Sequence, residues 1–491
     1  MLSARNIENG RIIFDEYRFI ERTAFETEDA RTRVRPGDVL LTIVGAIGRA
    51  ATVPENIKPF TLQRSVAVLC PIGITPDFLM YQLHSPQVQK KLIREAKGTA
   101  QKGVYLKTLG KLELLIPPIN EQHSIVAKIE ALKARSQQVK EALEAIPPLL
   151  DQFRQSVLAA AFRGDLTANW REKNPDIEPA SVLLERICAE RRRRWEEAEL
   201  ERMKANGKVP TDNKWKSKYK QPESVDALEL PKLPNGWCWA FVESLSTKVV
   251  DGVHKKPNYT EAGIPFVTIK NLTAGSGISF DEINYISLED HEEFFKRANP
   301  ECGDILITKD GTLGVVRVVR TDIIFSIFVS VALVKPVTYK MSDYLELAFS
   351  CPQMREQMLG TGIGLMHIHL KDLRRYAVPV APLEEQQEIV RRIQFLFKAA
   401  DKIEQQYREV KANLELLDQS ILAKAFRGKL VPQDPNDEPA SVLLERIRAE
   451  RAKREAEAKA AKKSTGKTTG RRSRKAQQQS ESTQLELPGL E

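Results

Sequence analysis

The sequence predicts an α/β protein written twice: two mixed α/β domains separated by a pair of long antiparallel coiled-coil helices, internally duplicated. Three observations carry this. Ordered blocks recur at a near-constant offset, β-rich runs bounded by turn residues fill the front of each copy, and a long apolar heptad seam follows in each. A chain of 491 residues exceeds one ordinary core, and its 42% hydrophobic and 29% charged residues exclude wholesale disorder.

The duplication is ordered from end to end. Gly37-Asp38-Val39-Leu40-Leu41-Thr42, with Gly45 and Gly48, returns as Gly303-Asp304-Ile305-Leu306-Ile307-Thr308, with Gly311 and Gly314, at an offset of 266. Ser85-Pro86-Gln87 returns as Cys351-Pro352-Gln353 at that offset. After a two-residue slip, PINEQHSIVAKI at 118–129 matches PLEEQQEIVRRI at 382–393. Gln155-Ser156-Val157-Leu158 and Ala161-Phe162-Arg163-Gly164 match Gln419-Ser420-Ile421-Leu422 and Ala425-Phe426-Arg427-Gly428. EPASVLLERI stands unchanged at 178–187 and 438–447, and Leu228-Glu229-Leu230-Pro231 is echoed by Leu485-Glu486-Leu487-Pro488. The repeat alone leaves a purely structural duplication open. The copies diverge most in their globular parts, so similar scaffolds carry different surfaces.

Strands are expected at 39–44, 64–69, 264–269, 305–308, 314–319 and 330–334, and helices at 76–93 and 342–358. Proline clusters at Pro117-Pro118 and Pro379–Pro382 then open a heptad helix in each copy. The first seam is Ile125, Ile129, Leu132, Ser136, Val139, Leu143, Ile146, Leu150, Phe153 and Val157. The second is Ile389, Ile393, Leu396, Ala400, Ile403, Tyr407, Val410, Leu414, Leu417 and Ile421, in the same phase. Each seam covers 32 positions, roughly 48 Å of helix, and the two are expected to pair with each other. Pro147-Pro148 predict a kink in the first helix, with a full break into two helices as the alternative, where the second has Lys411-Ala412.

A charged helix is expected over 181–206, then a basic-aromatic loop in which Lys214, Lys216, Lys218 and Lys220 alternate with Trp215 and Tyr219. That loop could touch DNA, but a flexible linker is at least as good a reading. The formal charge of +9 resides in the tail, since Arg451–Ser480 holds 11 Lys/Arg against 2 Glu. The body is neutral, so nucleic-acid binding there must rest on local patches. From 452 onward the composition reads as a low-complexity, disordered tail.

Catalytic constellations are missing. The five cysteines are scattered, which suits a reducing cytosol, and no run of eighteen apolar residues occurs, so a cytoplasmic protein without membrane contact is expected. Ala461–Thr468 and Gly98–Gly103 only loosely imitate a phosphate loop. His367-Ile368-His369 lacks further ligands for a metal, and Asp38 and Asp304 sit where a carboxylate caps a turn. No bound metal and no catalytic residue are expected.

The Gly-Asp-Val/Ile-Leu-x-Thr…Gly…Gly block, the proline-led Glu-Gln…Ile-Val helix start and the Gln-Ser-Val/Ile-Leu…Ala-Phe-Arg-Gly exit resemble the specificity subunit of type I restriction-modification systems. The resemblance implies a noncatalytic subunit that reads a bipartite, asymmetric sequence in double-stranded DNA. It implies partners too: two modification (methyltransferase) subunits acting on adenine and two restriction (endonuclease/translocase) subunits. Those partners would use S-adenosylmethionine, ATP and Mg, with no cofactor on this chain. The alternatives are a stand-alone DNA-binding protein and a coiled-coil scaffold. By the resemblance, residues 1–117 form the first target-recognition domain, 118–160 the first spacer helix and 161–232 a charged helical segment and linker. Residues 233–381 form the second recognition domain, 382–425 the second spacer helix, 426–451 the repeated charged segment and 452–491 the tail. Some thirty residues equivalent to Leu233–Pro265 are expected to be missing from the first domain, because Leu2–Asn6 aligns with Val267–Asn271.

Candidate DNA contacts are Arg5, Asn6, Arg49, Gln63, Arg64, Lys97, Gln101 and Lys102 in the first domain. In the second they are Lys255, Lys256, Lys270, Asn271, Lys309, Arg317, His367 and His369. Arg and Lys contacts to the backbone would set position, whereas Asn, Gln and Arg contacts to base edges in the major groove would set sequence. Helix pairing is expected from Ile125, Ile129, Leu132, Val139, Leu143, Ile389, Ile393, Leu396, Ile403 and Leu414.

Overall fold

Short apolar runs that begin just after a Gly-Asp turn set the central strands. Val39–Thr42 and Ile305–Thr308 are buried at every residue, as expected of strands covered on both faces. The computed structural model describes residues 1–98, 102–207, 210–358 and 367–476. It divides into unit 1, residues 1–144 with 408–491, and unit 2, residues 145–407.

In unit 2, Ile305–Thr308 lies between Val316–Val318 and Val331–Pro336, and Ser246–Asp251 completes an antiparallel four-stranded sheet. A second four-stranded sheet has the order Ser326–Ile327, Ile264–Val267, Asn284–Ile286, Tyr259–Thr260. Cys238–Phe241 pairs with Ala377–Val380. The main core joins Ile305, Ile307 and Val334 to Tyr344 and Phe349 and to Val157, Leu158, Phe162, Ile389 and Ile393 of the long helices.

In unit 1, Val39–Thr42 lies between Ala50–Thr52 and Val66–Leu69, and the hairpin Ile7–Glu8/Arg11–Ile12 stands beside that sheet. Its core joins Val39, Leu41, Phe78 and Leu83 to Ile125, Ile129, Ile421 and Phe426. Each expected helix after the sheet is two helices. Pro76–Leu83 gives way to Pro86–Glu95, and Ser342–Phe349 to Pro352–Met358. Proline explains both breaks, because it favours a first-turn position and disfavours helix in the residue before it.

The first long helix breaks fully at Ala145, giving Ile119–Glu144 and Ile146–Phe162 with Pro147-Pro148 in the opening turn of the second. Its counterpart, with no proline there, is a single 43-residue helix, Leu383–Ala425. Helix pairing is antiparallel inside each unit. In unit 1, Lys140 meets Asp418 at 2.6 Å while the earlier Asn120 meets the later Asp437 at 2.8 Å. In unit 2, Arg154 reaches Glu404 at 2.8 Å, and Arg392 reaches the carbonyl of Leu166 at 2.7 Å.

The seam is buried in patches and exposed between them, at Val139, Phe153, Ile403, Val410 and Leu417. Ile125, Ile129, Ile389, Ile393 and Leu414 are buried, and Leu132, Leu143 and Leu396 are half-buried. Val139 is 44% exposed and Ile403 is 47% exposed, so neither is the sealed pairing residue the heptads predict. Leu150, Ala400 and Leu414 are closed off by the helices themselves, while among the described residues Val139 and Ile403 have no third layer over them.

The charged helix runs Ala180–Ala205, and the basic-aromatic segment folds onto it. Trp215 stacks on Trp195 with centroids 6.2 Å apart, Tyr219 packs at 5.3 Å, and Lys216 binds Glu196 at 2.8 Å. Those aromatic rings are spent on packing. The tail is also corrected in part, since helix Ala440–Ala476 extends past residue 452. Its Ala, Lys, Arg and Glu content favours helix, and Arg451–Glu455 and Arg454–Glu450 pair one turn apart. The segment 477–491 lies outside the described residues.

Candidate nucleic-acid interface

Each Gly-Asp…Thr…Gly…Gly block builds a strand and a latched turn. The aspartate accepts from a backbone N–H three residues earlier: Arg35 donates to Asp38 and Glu301 to Asp304, both at 2.8 Å. At the other end, the Thr42 hydroxyl accepts from Arg49 N–H at 2.9 Å, as Thr308 accepts from Val315 N–H at 2.9 Å. Gly45, Gly48, Gly311 and Gly314 all have positive φ, which an L side chain adopts only under strain.

In unit 1 further segments converge on this turn. Ile43 N–H donates to Ser65 and accepts Val104 N–H at its carbonyl, both at 2.8 Å, and Gln63 N–H donates to Leu2 at 2.8 Å. Lys97 and Gly103 exchange two backbone hydrogen bonds of 2.9 Å, and Gly45 N–H reaches the Lys102 carbonyl at 3.3 Å. The turn, the segment before Val66 and the residues Lys97, Lys102 and Gly103 thus form one layer. Arg5, Arg49, Arg64, Lys97 and Lys102 are exposed there and Gln63 is half-buried, while Gln101 lies outside the described residues. Sequence reasoning missed a neighbouring cleft of about 640 Å³ lined by Arg31, Arg33, Arg35, Cys70 and Arg454. Burial and an Asp38 hydrogen bond push the Cys70 thiol up to about 11.

Unit 2 repeats the layer. Lys309 N–H donates to Ser330 at 2.9 Å and the Lys309 carbonyl accepts Ile368 N–H at 2.8 Å. Its side chains are very different. The Lys309 ammonium is 3.5 Å from Asp251 and 3.4 Å from Asp310, Arg297 binds Asp251, and His367 Nδ1 contacts the Asp310 carboxylate. The rings of His367 and His369 lie 4.7 Å apart. Lys255 binds Glu293 at 3.0 Å, which raises its pKa, and Lys256, Lys270 and His369 are exposed.

Four expected contacts are corrected. Asn6 and Asn271 are buried and close capping boxes: Ser3 N–H donates to Asn6 Oδ1 at 2.8 Å, and Thr268 N–H to Asn271 Oδ1 at 2.9 Å. Their matching positions reflect a shared turn. Lys309 is 3% exposed, and its charge is consumed by carboxylates. Arg317 is half-buried and donates to the Gly275 carbonyl at 2.6 Å, with burial lowering its pKa. Asp251, Asp310 and Arg297 are not among the expected contacts, because the partners that pair Asp251 with Arg297 and Lys309, and Asp310 with His367, lie 46 to 58 residues away in sequence.

The helix-opening Glu-Gln pair is also more than a first-turn charge. Glu385 is fully buried and accepts from Thr167 Oγ1 at 2.7 Å, Arg171 Nη2 at 2.7 Å and Trp237 Nε1 at 2.8 Å. Gln122 and Gln386 fasten the preceding loop, donating to the carbonyls of Pro117 at 3.0 Å and Ala381 at 2.8 Å.

The geometry defines a duplicated protein with one frame used twice and two unlike polar loop layers. Comparison with known proteins places that class. A family model described as Type I restriction modification DNA specificity domain matches residues 17–146 and 252–412, and the chain belongs to this family. It is 26% identical over 479 residues to the type I restriction enzyme EcoKI specificity subunit of Escherichia coli K12, covering 92% of this chain and 88% of that one. It is 31% identical over 361 residues to the EcoBI specificity subunit of Escherichia coli, covering 70% of this chain and 66% of that one. A chain solved in work on complex assembly and conformational transition of the type I R-M system shares the fold, with a TM-score of 0.56 at 20% identity over 81% of this chain and 83% of that one. No helix among the described residues is long and apolar enough to cross a membrane.

Proposed function

We propose that this chain is the noncatalytic sequence-reading component of a type I restriction-modification complex, each loop layer reading one half of a bipartite, asymmetric DNA target. The observation that carries this is the repeated frame with different dress. The Thr42 and Thr308 latches are alike, yet one layer presents Arg49, Lys97 and Lys102 and the other presents His367 and His369. Two unlike readers on one chain suit a split, asymmetric site, and exposed Arg and Lys supply the phosphate contacts that fix register.

In this reading the helix pairs act as a coiled-coil spacer in the cytoplasm, and the partners are two modification and two restriction subunits. Those partners bring S-adenosylmethionine, ATP and Mg, and methylation and restriction are theirs. The test is co-expression with the modification subunit followed by single-molecule mapping of methylated adenines. A bipartite motif that appears with this chain and disappears without it is expected. Recovery of this chain alone, with no change in the methylation map, would contradict the proposal.

A further inference from the structure

Building on the DNA-reading role proposed above, we infer that His367, held by Asp310, is the specificity-determining residue of unit 2 for one base that offers an amino group in the major groove. The argument begins with a backbone bridge found in both units. Asp310 and His367 face each other across an isolated antiparallel bridge, and Val44 and Gly103 form the same bridge in unit 1. The residue before each bridge is also equivalent, because Lys309 accepts Ile368 N–H as Ile43 accepts Val104 N–H. Unit 1 therefore closes this bridge with isoleucine, valine and glycine, and the frame itself has no need of charge.

Unit 2 nonetheless buries charge there. Asp251 is 4% exposed and Lys309 is 3% exposed. Replacing a buried ion pair by apolar residues of similar volume is often neutral or stabilising. The cluster is better explained by what it holds. Lys309 lies 3.4 Å from Asp310 Oδ2, and the other oxygen of that carboxylate contacts His367 Nδ1. In the neutral imidazole a carboxylate at Nδ1 selects the tautomer protonated there, which leaves Nε2 as an acceptor on a fixed ring. The His367 side chain is 35% exposed, so the ring is anchored yet open on one side. An acceptor in the major groove matches the exocyclic amino group of adenine or cytosine, whereas guanine O6 and N7 and thymine O4 offer acceptors only. Asp310 is the positioning residue in this pair and His367 is the reader.

The experiment uses the full chain with its modification subunits and measures methylation across a library randomised at every target position. One variant is His367→Ala. A second, Asp310→Val with His367→Gly, installs the pair that unit 1 already accommodates, so folding is preserved by precedent within the chain. Both should relax the preference for A or C at one position of one half by about tenfold or more, the range of a lost base contact. Asp310→Asn should relax that same position, which a residue acting only in folding would not single out. Preferences across the other half should stay as they are. Undiminished discrimination at every position in the variants, or relaxation at a position read as G or T, would overturn the inference. Absence of any bipartite motif with the unaltered chain would instead defeat the broader proposal on which it rests.

Discussion

The Val331–Pro336 strand of unit 2 is flanked by Ile305–Thr308 and Ser246–Asp251, whereas its counterpart Val66–Leu69 in unit 1 pairs, among the described residues, with Val39–Thr42 alone. The second sheet tells the same story. Tyr285 and Ile286 of unit 2 are sandwiched between neighbouring strands, while Phe19 at the equivalent place in unit 1 is 84% exposed. Yet the Thr-latched turns, the Ser3 and Thr268 capping boxes and the central three-strand register are the same in both. These shared features are made by local hydrogen bonds of the same kind in both units. The added segments bring burial, a carboxylate at Asp251 that meets Lys309 of the loop layer, and an indole at Trp237 that donates to Glu385 of the long helix.

That contrast is broken most sharply at the paired glutamates. Glu385→Ala leaves Arg171, Trp237 and Thr167 without their shared acceptor and should cost unit 2 about 3 kcal/mol or more. Glu121 is buried beside Asp437, where burial and that like charge raise its pKa, so Glu121→Gln should change stability by less than about 1 kcal/mol. All five tryptophans lie in unit 2, so the midpoint of denaturant unfolding followed by indole fluorescence reports the first change directly. Equal effects of the two substitutions would erase the distinction.

A second difference is acid sensitivity. His84 Nε2 accepts Ala50 N–H at 3.0 Å, and burial, helped by Lys133, pushes its pKa down to about 4 from 6.5. Its folded pKa is depressed, so this stability is present above pH 6.5 and is lost as pH falls through 4. The loss is about 3 kcal/mol for unit 1. Unit 2 carries Ser350 at the matching position. Amide exchange at Ala50 should accelerate between pH 6 and 4 in the natural chain beyond the intrinsic trend, and His84→Ser should flatten the response. A natural chain indifferent to pH over that range would rule the explanation out.

Much of this was legible in the sequence because duplication made each motif speak twice. The central strands, the proline-led helices, the break at Pro147-Pro148 and the turn-capping aspartates follow from local rules. The errors lie where a partner is distant. Asn6 and Asn271 look like surface amides until Ser3 and Thr268 are seen to hold them, and Lys309 looks like a phosphate ligand until Asp251 arrives from another strand. The heptads of Val139 and Ile403 are real, but periodicity does not say whether a third layer covers them. Cluster residues such as Asp310 gave no signal of their own, because a lone carboxylate acquires meaning only from the histidine it meets.

Two unlike readers on a repeated frame is the central claim, and domain exchange measures it most directly. Residues 233–379 would be replaced by the corresponding domain of another family member, and methylated adenines mapped in a genome that carries the chimera. One half of the bipartite motif should change while the other half stays as it was. Alteration of both halves together, or of neither, would contradict the account.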